Sequence, residues 1–370
     1  MIRRLQIVNF LGFCWVLASF LTPTGGVLAS DVFTIRNVEV NEKASSELTA
    51  KTKALATGQR LALAAMFKRV TMLHDHARLP AATDQLVTEL VRDFSVSDEK
   101  FGGGRYLGKL SVRFRPKAVR SLLEQMSIPF AETASRPLVV LPVLVSGKSQ
   151  LLWDEPNPWF EIWGEVSSPH GLLPLLMPHG ELSDVSLISA EQASAGHLNR
   201  LSAVSQKYST RGVVVPVAEF STIKARNVQR VEIKLITFSS TGHVKKALSA
   251  YESQPGMTEE EFQKHVALVL IQQLEEDWKQ ANLLTGGNVN ALIAVVPVTK
   301  LAEWLAIKER LSQVATVKHV GIRRMSVRET EIAIRFQGAP DQLRVALEQN
   351  GLRLSSYADQ TVWTLERLDR

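Results

Sequence analysis

Trp153-Asp154-Glu155-Pro156-Asn157-Pro158-Trp159-Phe160-Glu161-Ile162-Trp163 follows the apolar run Leu138–Val145, and the two stretches together decide how the middle of this chain is read. An apolar run without alternation is the pattern of a strand covered on both faces, which points to a layered α/β arrangement. The aromatic stretch concentrates indole rings, prolines and carboxylates. It forms either a contact surface, with Trp153, Asp154, Asn157, Pro158, Trp159 and Trp163 offered to a partner, or a buried corner whose bend the prolines fix. Between the two, Gly147-Lys148-Ser149 has the ending of a phosphate-binding loop. The motif's first glycine would fall at Pro142, which has no N–H to offer phosphate.

Downstream, Val213–Val217 is a second core strand, and Val231, Ile233 and Leu235 alternate with Glu232 and Lys234 in a half-exposed one. A helix is expected within residues 190–208. Thr258-x-x-Glu261 is a capping box opening a helix through Phe262, Val266, Leu270, Leu274 and Trp278. Strands alternating with helices make residues 136–283 an α/β middle domain.

Upstream, residues 31–131 have the order β-α-α-β-β-α, a small α+β domain. Leu48, Leu55, Ala62, Met66, Val70 and Leu73 mark the expected inner face of its long helix. Tyr106, Gly108, Leu110, Val112 and Phe114 share one face of its returning strand. The small, polar segment Ala131–Pro137 has the composition of a linker. Residues 287–370, after Thr285-Gly286-Gly287, follow the ferredoxin-like order β-α-β-β-α-β. The chain of 370 residues is thus a multidomain α+β and α/β protein.

Arg3 and Arg4, the apolar run Ile7–Leu21 and the small or aliphatic Val27-Leu28-Ala29 form a secretory signal with cleavage expected after Ala29. The run is shorter than the roughly 20 residues that span a bilayer, so no transmembrane helix is expected after cleavage. The single cysteine, Cys14, lies within this segment. These features predict a periplasmic protein without disulfides. The net charge of +6 is spread without a block of like charges, which argues against nucleic acid as a partner.

Chemical signatures are incomplete. His74-Asp75-His76 lacks a third metal ligand nearby, and i, i+2 residues do not face each other on a helix. Gly102-Gly103-Gly104 joins two strands instead of leading into a helix. Ser97-x-x-Lys100 lacks the Lys-Thr-Gly partner of serine acylases. His170 and His179 have no third ligand. Arg113, Arg115, Lys117 and Arg120 form the densest basic patch, a candidate contact with anionic lipid or wall polymer or simply a solvated face. No cofactor or metal is implied.

The signal, the order of the first domain, Arg113-Phe114-Arg115-Pro116, Leu152-Trp153-Asp154 and Asn157-Pro158-Trp159 with Trp163 after them resemble an uncharacterised bacterial envelope family catalogued as domain of unknown function 2066. The resemblance is strongest over residues 31–165. It implies an exported protein and brings no catalytic residues with it. The expected function is a non-enzymatic periplasmic binding or scaffold protein whose partner is an envelope protein or cell-wall polymer. The alternative is an envelope hydrolase acting on wall glycan through Asp154, Glu155 and Glu161.

Overall fold

The first strand of the chain, β1 (Thr34–Lys43), is followed by α1 (Glu47–Val70), α2 (Asp84–Leu90), β2 (Val91–Gly102), β3 (Arg105–Phe114) and α3 (Pro116–Gln125). The computed structural model describes residues 32–224, 226, 228–240, 242–284, 289–326, 328–356 and 363–368. The expected signal segment with Cys14 and the expected boundary at Thr285-Gly286-Gly287 lie outside the described residues.

β3 sits between β1 and β2, antiparallel to both, and buries Tyr106, Leu110, Val112 and Phe114, as its alternation requires. The inner face of α1 differs from expectation. Ala50, Ala54, Gly58, Ala62, Leu63, Met66, Phe67 and Val70 are buried, whereas Leu48 is 76% exposed and Leu73 lies past the helix end. The helix comes so close to the sheet that a Cβ on Gly58 would stand 2.7 Å from Leu110 and 2.8 Å from Val40. Small residues face the sheet there because large ones do not fit.

The middle region continues with β4 (Leu138–Val140), β5 (Val143–Ser146), β6 (Ser149–Leu151), α4 (Pro158–Val166), β7 (Leu175–Leu176), α5 (Leu182–Val185), α6 (Ala190–Ala195), α7 (Leu198–Lys207), β8 (Gly212–Ile223), β9 (Val228–Ser239), β10 (Val244–Glu252) and α8 (Glu259–Ala281). The apolar run 138–145 is two strands, not one. Leu141-Pro142 separates them, yet both pair with β8 in parallel and in one continuous register. The helix expected within 190–208 is likewise two, because Gly196 turns left-handed (φ 75°) and ends α6. β8, β9 and β10 form an antiparallel meander, with β10 at the sheet edge among the described residues.

Two cores flank this sheet. One face carries Val139, Leu141, Val143, Val213, Val215, Val217, Ile236 and Phe238 and packs with residues of α6 and α7. The other carries Val214, Ala218, Val231, Ile233 and Leu235, packs with α4 and α8, and merges with the core of the first sheet. The linker-like segment is itself packed: Ala131, Thr133, Ala134 and Ser135 are buried, and the Thr133 carbonyl accepts the Trp278 indole N–H at 2.7 Å. Phe130 makes antiparallel bridges to both Thr71 and Leu284. The capping box of α8 forms as read, Thr258 and Glu261 each bonding the other's backbone N–H.

The last region holds β11 (Val289–Pro297), α9 (Leu301–Gln313), β12 (Val317–Met325), β13 (Glu329–Gln337), α10 (Pro340–Gln349), β14 (Leu352–Ser356) and β15 (Trp363–Arg367) around a separate core. Its strand order is β12-β13-β11-β15-β14, one strand more than the expected β-α-β-β-α-β. α10 leads into the extra edge strand β14, and β15 then returns beside β11, parallel to it. Gly351 turns left-handed after α10, and Leu352 and Leu354 of the strand that follows are buried.

Candidate functional site

The aromatic stretch is a buried corner, and much of it is helix. Asn157, 3% exposed, caps α4: its side-chain oxygen accepts from the Phe160 N–H at 3.1 Å. Its amide donates to the Leu151 and Leu152 carbonyls, both at 3.3 Å. Pro158 occupies the first turn, where a missing N–H costs nothing. Trp159 and Trp163 are fully buried and meet edge to face at 5.8 Å. Trp159 also meets Phe220 of β8 at 5.6 Å, and its indole N–H donates to the Pro216 carbonyl at 2.9 Å. Half-buried Trp153 donates to the Ile188 carbonyl at 2.8 Å. Asp154, Glu155 and Glu161 are exposed around this corner. The tryptophans therefore hold the sheet and are not offered to a partner.

The corner's position gives it a purpose. Pro216, Ala218 and Phe220 face the corner side of β8, so Val217 and Glu219 between them face the opposite side. There α6 and α7 cover only one end of the sheet, and the other end is an open basin of ≈ 540 Å³. Two cross-strand rows make its floor. One runs Val217, Lys234 and Leu248; the next runs Val145, Glu219, Glu232 and Ala250. Gln150 of β6 stands at the side, its amide oxygen bonded by the Ser194 hydroxyl.

Glu219 and Glu232 are both exposed and lie directly opposite each other. Like charges so placed destabilise a sheet. Arg230 reaches Glu232 at 3.2 Å from the rim. Lys234 is half-buried in the adjoining row, and Leu248 is 81% exposed. The arrangement suits a partner that brings a positive group to the glutamates and apolar surface to Val145 and Leu248.

The basic patch is largely taken up internally. Arg113 pairs with Asp93 at 2.5 Å, and Arg92 and Arg113 together hold that carboxyl below its ordinary value. Arg115 donates to the carbonyls of Thr88 (3.2 Å) and Glu89 (2.7 Å) at the end of α2. Arg120 grips Glu132 with two bonds, at 2.6 and 2.8 Å, while burial pushes the Glu132 carboxyl up against the pull of Arg120. Lys117 stays exposed. Guanidinium groups so engaged form local cross-links instead of a shared anion surface.

Asp75 is buried and pairs with Arg78 at 2.7 Å and His74 at 3.4 Å. Among the described residues no three His, Cys, Asp or Glu side chains are grouped to hold a metal ion. Gly147-Lys148 makes the β5–β6 hairpin turn. Sequence reasoning missed the basin. The exposed Glu219 ending the apolar run of β8 was its one local signal.

No helix among the described residues is long and apolar enough to cross a membrane. The fold is mixed α/β, with several sheets and an open, charged sheet face. No protein-family model and no curated protein matches the chain. Among solved structures it is similar to the crystal structure of lipoprotein GNA1162 from Neisseria meningitidis, at 12% identity and a TM-score of 0.25, covering 38% of this chain and 97% of that one.

Proposed function

We propose that this is a non-enzymatic binding or scaffold protein of the bacterial cell envelope, exported by its N-terminal signal and cleaved after Ala29. Arg3, Arg4 and the apolar run that follows support the export. The resemblance to the envelope family of unknown function points the same way. The basin on the middle sheet is the binding surface, and its ligand is a cationic, partly apolar segment of an envelope protein or wall polymer. The observation that carries this reading is the facing pair Glu219 and Glu232, exposed beside Val145 and Leu248. Arg230 answers Glu232 from within the chain, whereas Glu219 has no ion pair among the described residues and is the carboxylate left for an external cation.

The test is in-cell crosslinking from a photoreactive residue at position 145, which lines the basin opposite Glu219, read by mass spectrometry. One envelope component should be captured, and Glu219→Lys should abolish that capture while leaving the melting temperature close to wild type. Capture that is indifferent to Glu219→Lys would remove the basin from the function. Retention of the uncleaved chain in the cytoplasm would remove the export.

A further inference from the structure

The free edge of β10 has a defined hydrogen-bonding phase. The Ser239 N–H donates to the His243 carbonyl and the Ser253 N–H to the Gln229 carbonyl, each at 2.9 Å. Bonded pairs recur at every second residue of an antiparallel ladder. The β9–β10 register runs unbroken from Val244 opposite Phe238 to Glu252 opposite Arg230. Lys245, Ala247, Ser249 and Tyr251 therefore bond inward to β9. Val244, Lys246, Leu248, Ala250 and Glu252 turn their N–H and C=O groups outward.

Those same five residues place their side chains on the basin face. No proline or bulge interrupts them, although such devices ordinarily protect an edge. Leu248, at 81%, is among the most exposed apolar side chains described. We propose that β10 pairs antiparallel with β10 of a second copy of this chain, about a two-fold axis at Ser249.

Symmetry and charge select this register. A two-fold axis perpendicular to the sheet sets one residue against its own copy, and the outward groups pair only when even-numbered residues oppose one another. Centred on Ser249, Lys246 faces Glu252 of the second copy, Leu248 faces Ala250, and each contact occurs twice. Centred on Leu248 instead, Lys246 would face Ala250 and Glu252 would face Val244, so neither charge would be matched. Within one chain the Lys246 ammonium meets only the Ala195 carbonyl, at 3.3 Å, among the described residues. Glu252 already pairs with Arg226 at 3.0 Å and Arg230 at 3.6 Å, which holds its carboxylate at the edge. The same axis carries each basin to the same face of one continuous sheet, on either side of the new seam.

Light scattering or sedimentation of the purified full chain tests this. The wild type should have twice the chain mass. Leu248→Pro should have the single mass with unchanged circular dichroism and melting, because the N–H it deletes faces outward and edge strands tolerate proline there. Lys246→Glu and Glu252→Lys should each raise the dimer dissociation constant by about tenfold or more, and the double variant should restore it. A monomer at every concentration reached overturns the proposal, as does a dimer indifferent to Leu248→Pro or a double variant that stays monomeric. Capture of a different protein at residue 248 by a monomeric wild type gives Leu248 to that partner, the basin's ligand included, and also overturns it. Glu219 and Glu232 lie on the neighbouring strands, so failure here leaves the basin reading standing.

Discussion

The indole N–H of Trp159 donates to the carbonyl oxygen of Pro216, 2.9 Å away, and so fastens helix α4 to the middle of strand β8. Opposite this point Pro142 separates β4 from β5. Neither proline has an N–H to give a ladder. The bond therefore reinforces the sheet where its own backbone donors are missing, directly behind the basin.

Trp159→Ala should destabilise the fold by about 3–5 kcal/mol, as removal of fully buried large aromatics does. Trp159→Phe should lose less, about 1–3 kcal/mol, because the ring still packs on Phe220 while the Pro216 carbonyl loses its donor. Urea unfolding measures both. A Trp159→Ala protein with wild-type stability would show that the corner does not support the sheet.

Glu219→Gln should separate stability from binding. Relieving the repulsion with Glu232 should stabilise the isolated protein by about 0.2–1 kcal/mol, while ligand capture weakens. Denaturation and crosslinking on one preparation give both readings. Loss of stability on this substitution would contradict the placement of the pair.

Glu275 gives a pH signature. Burial pushes its carboxyl above the ordinary value of 4.5, with Lys279 and Arg69 opposing and Glu276 adding to the rise. Below 4.5 the group is protonated whether the chain is folded or not, and it biases neither state. As pH climbs from there through the folded value, the unfolded chain releases its proton first, so the native form loses stability relative to it. Glu275→Gln should remove that decline. Its stability relative to wild type should grow with rising pH above 4.5 and then level off in denaturation series.

Lys279 is buried beside Glu276 at 2.5 Å and donates to the Thr71 carbonyl at 2.8 Å. Lys279→Ala would leave Glu276 and that carbonyl without their cation, at a cost of about 3–5 kcal/mol. Lys279→Met should cost less than Lys279→Ala because it keeps the packed stem. Equal losses in the two variants would assign the effect to the lost ammonium alone and none of it to packing.

Local patterns were legible wherever a single face decided them. The alternation of β3 and β9 and the capping box of α8 appear as their residues require. The face of α1 was not legible, because the counterweight to its leucines is the close approach at Gly58, which depends on Val40 and Leu110. The corner could be identified as exposed or buried only through Pro216 and Phe220, partners far along the chain. The apparent basic patch dissolved for the same reason, since Asp93 and Glu132 come from other elements. The basin is the extreme case. Val145, Glu219, Glu232 and Leu248 become neighbours only after strand register is set, and no short window of sequence contains them.

Phe130 bridges Thr71 and Leu284, and Trp278 and Lys279 reach back to Thr133 and Thr71. The apolar interior begun by the first hundred residues is therefore closed by helix α8, more than a hundred residues later. Such long-range closure is slow, because a large loop must be ordered before its contacts form. During synthesis the core that α1 and the first sheet begin therefore lacks its closing helix until α8 has left the ribosome.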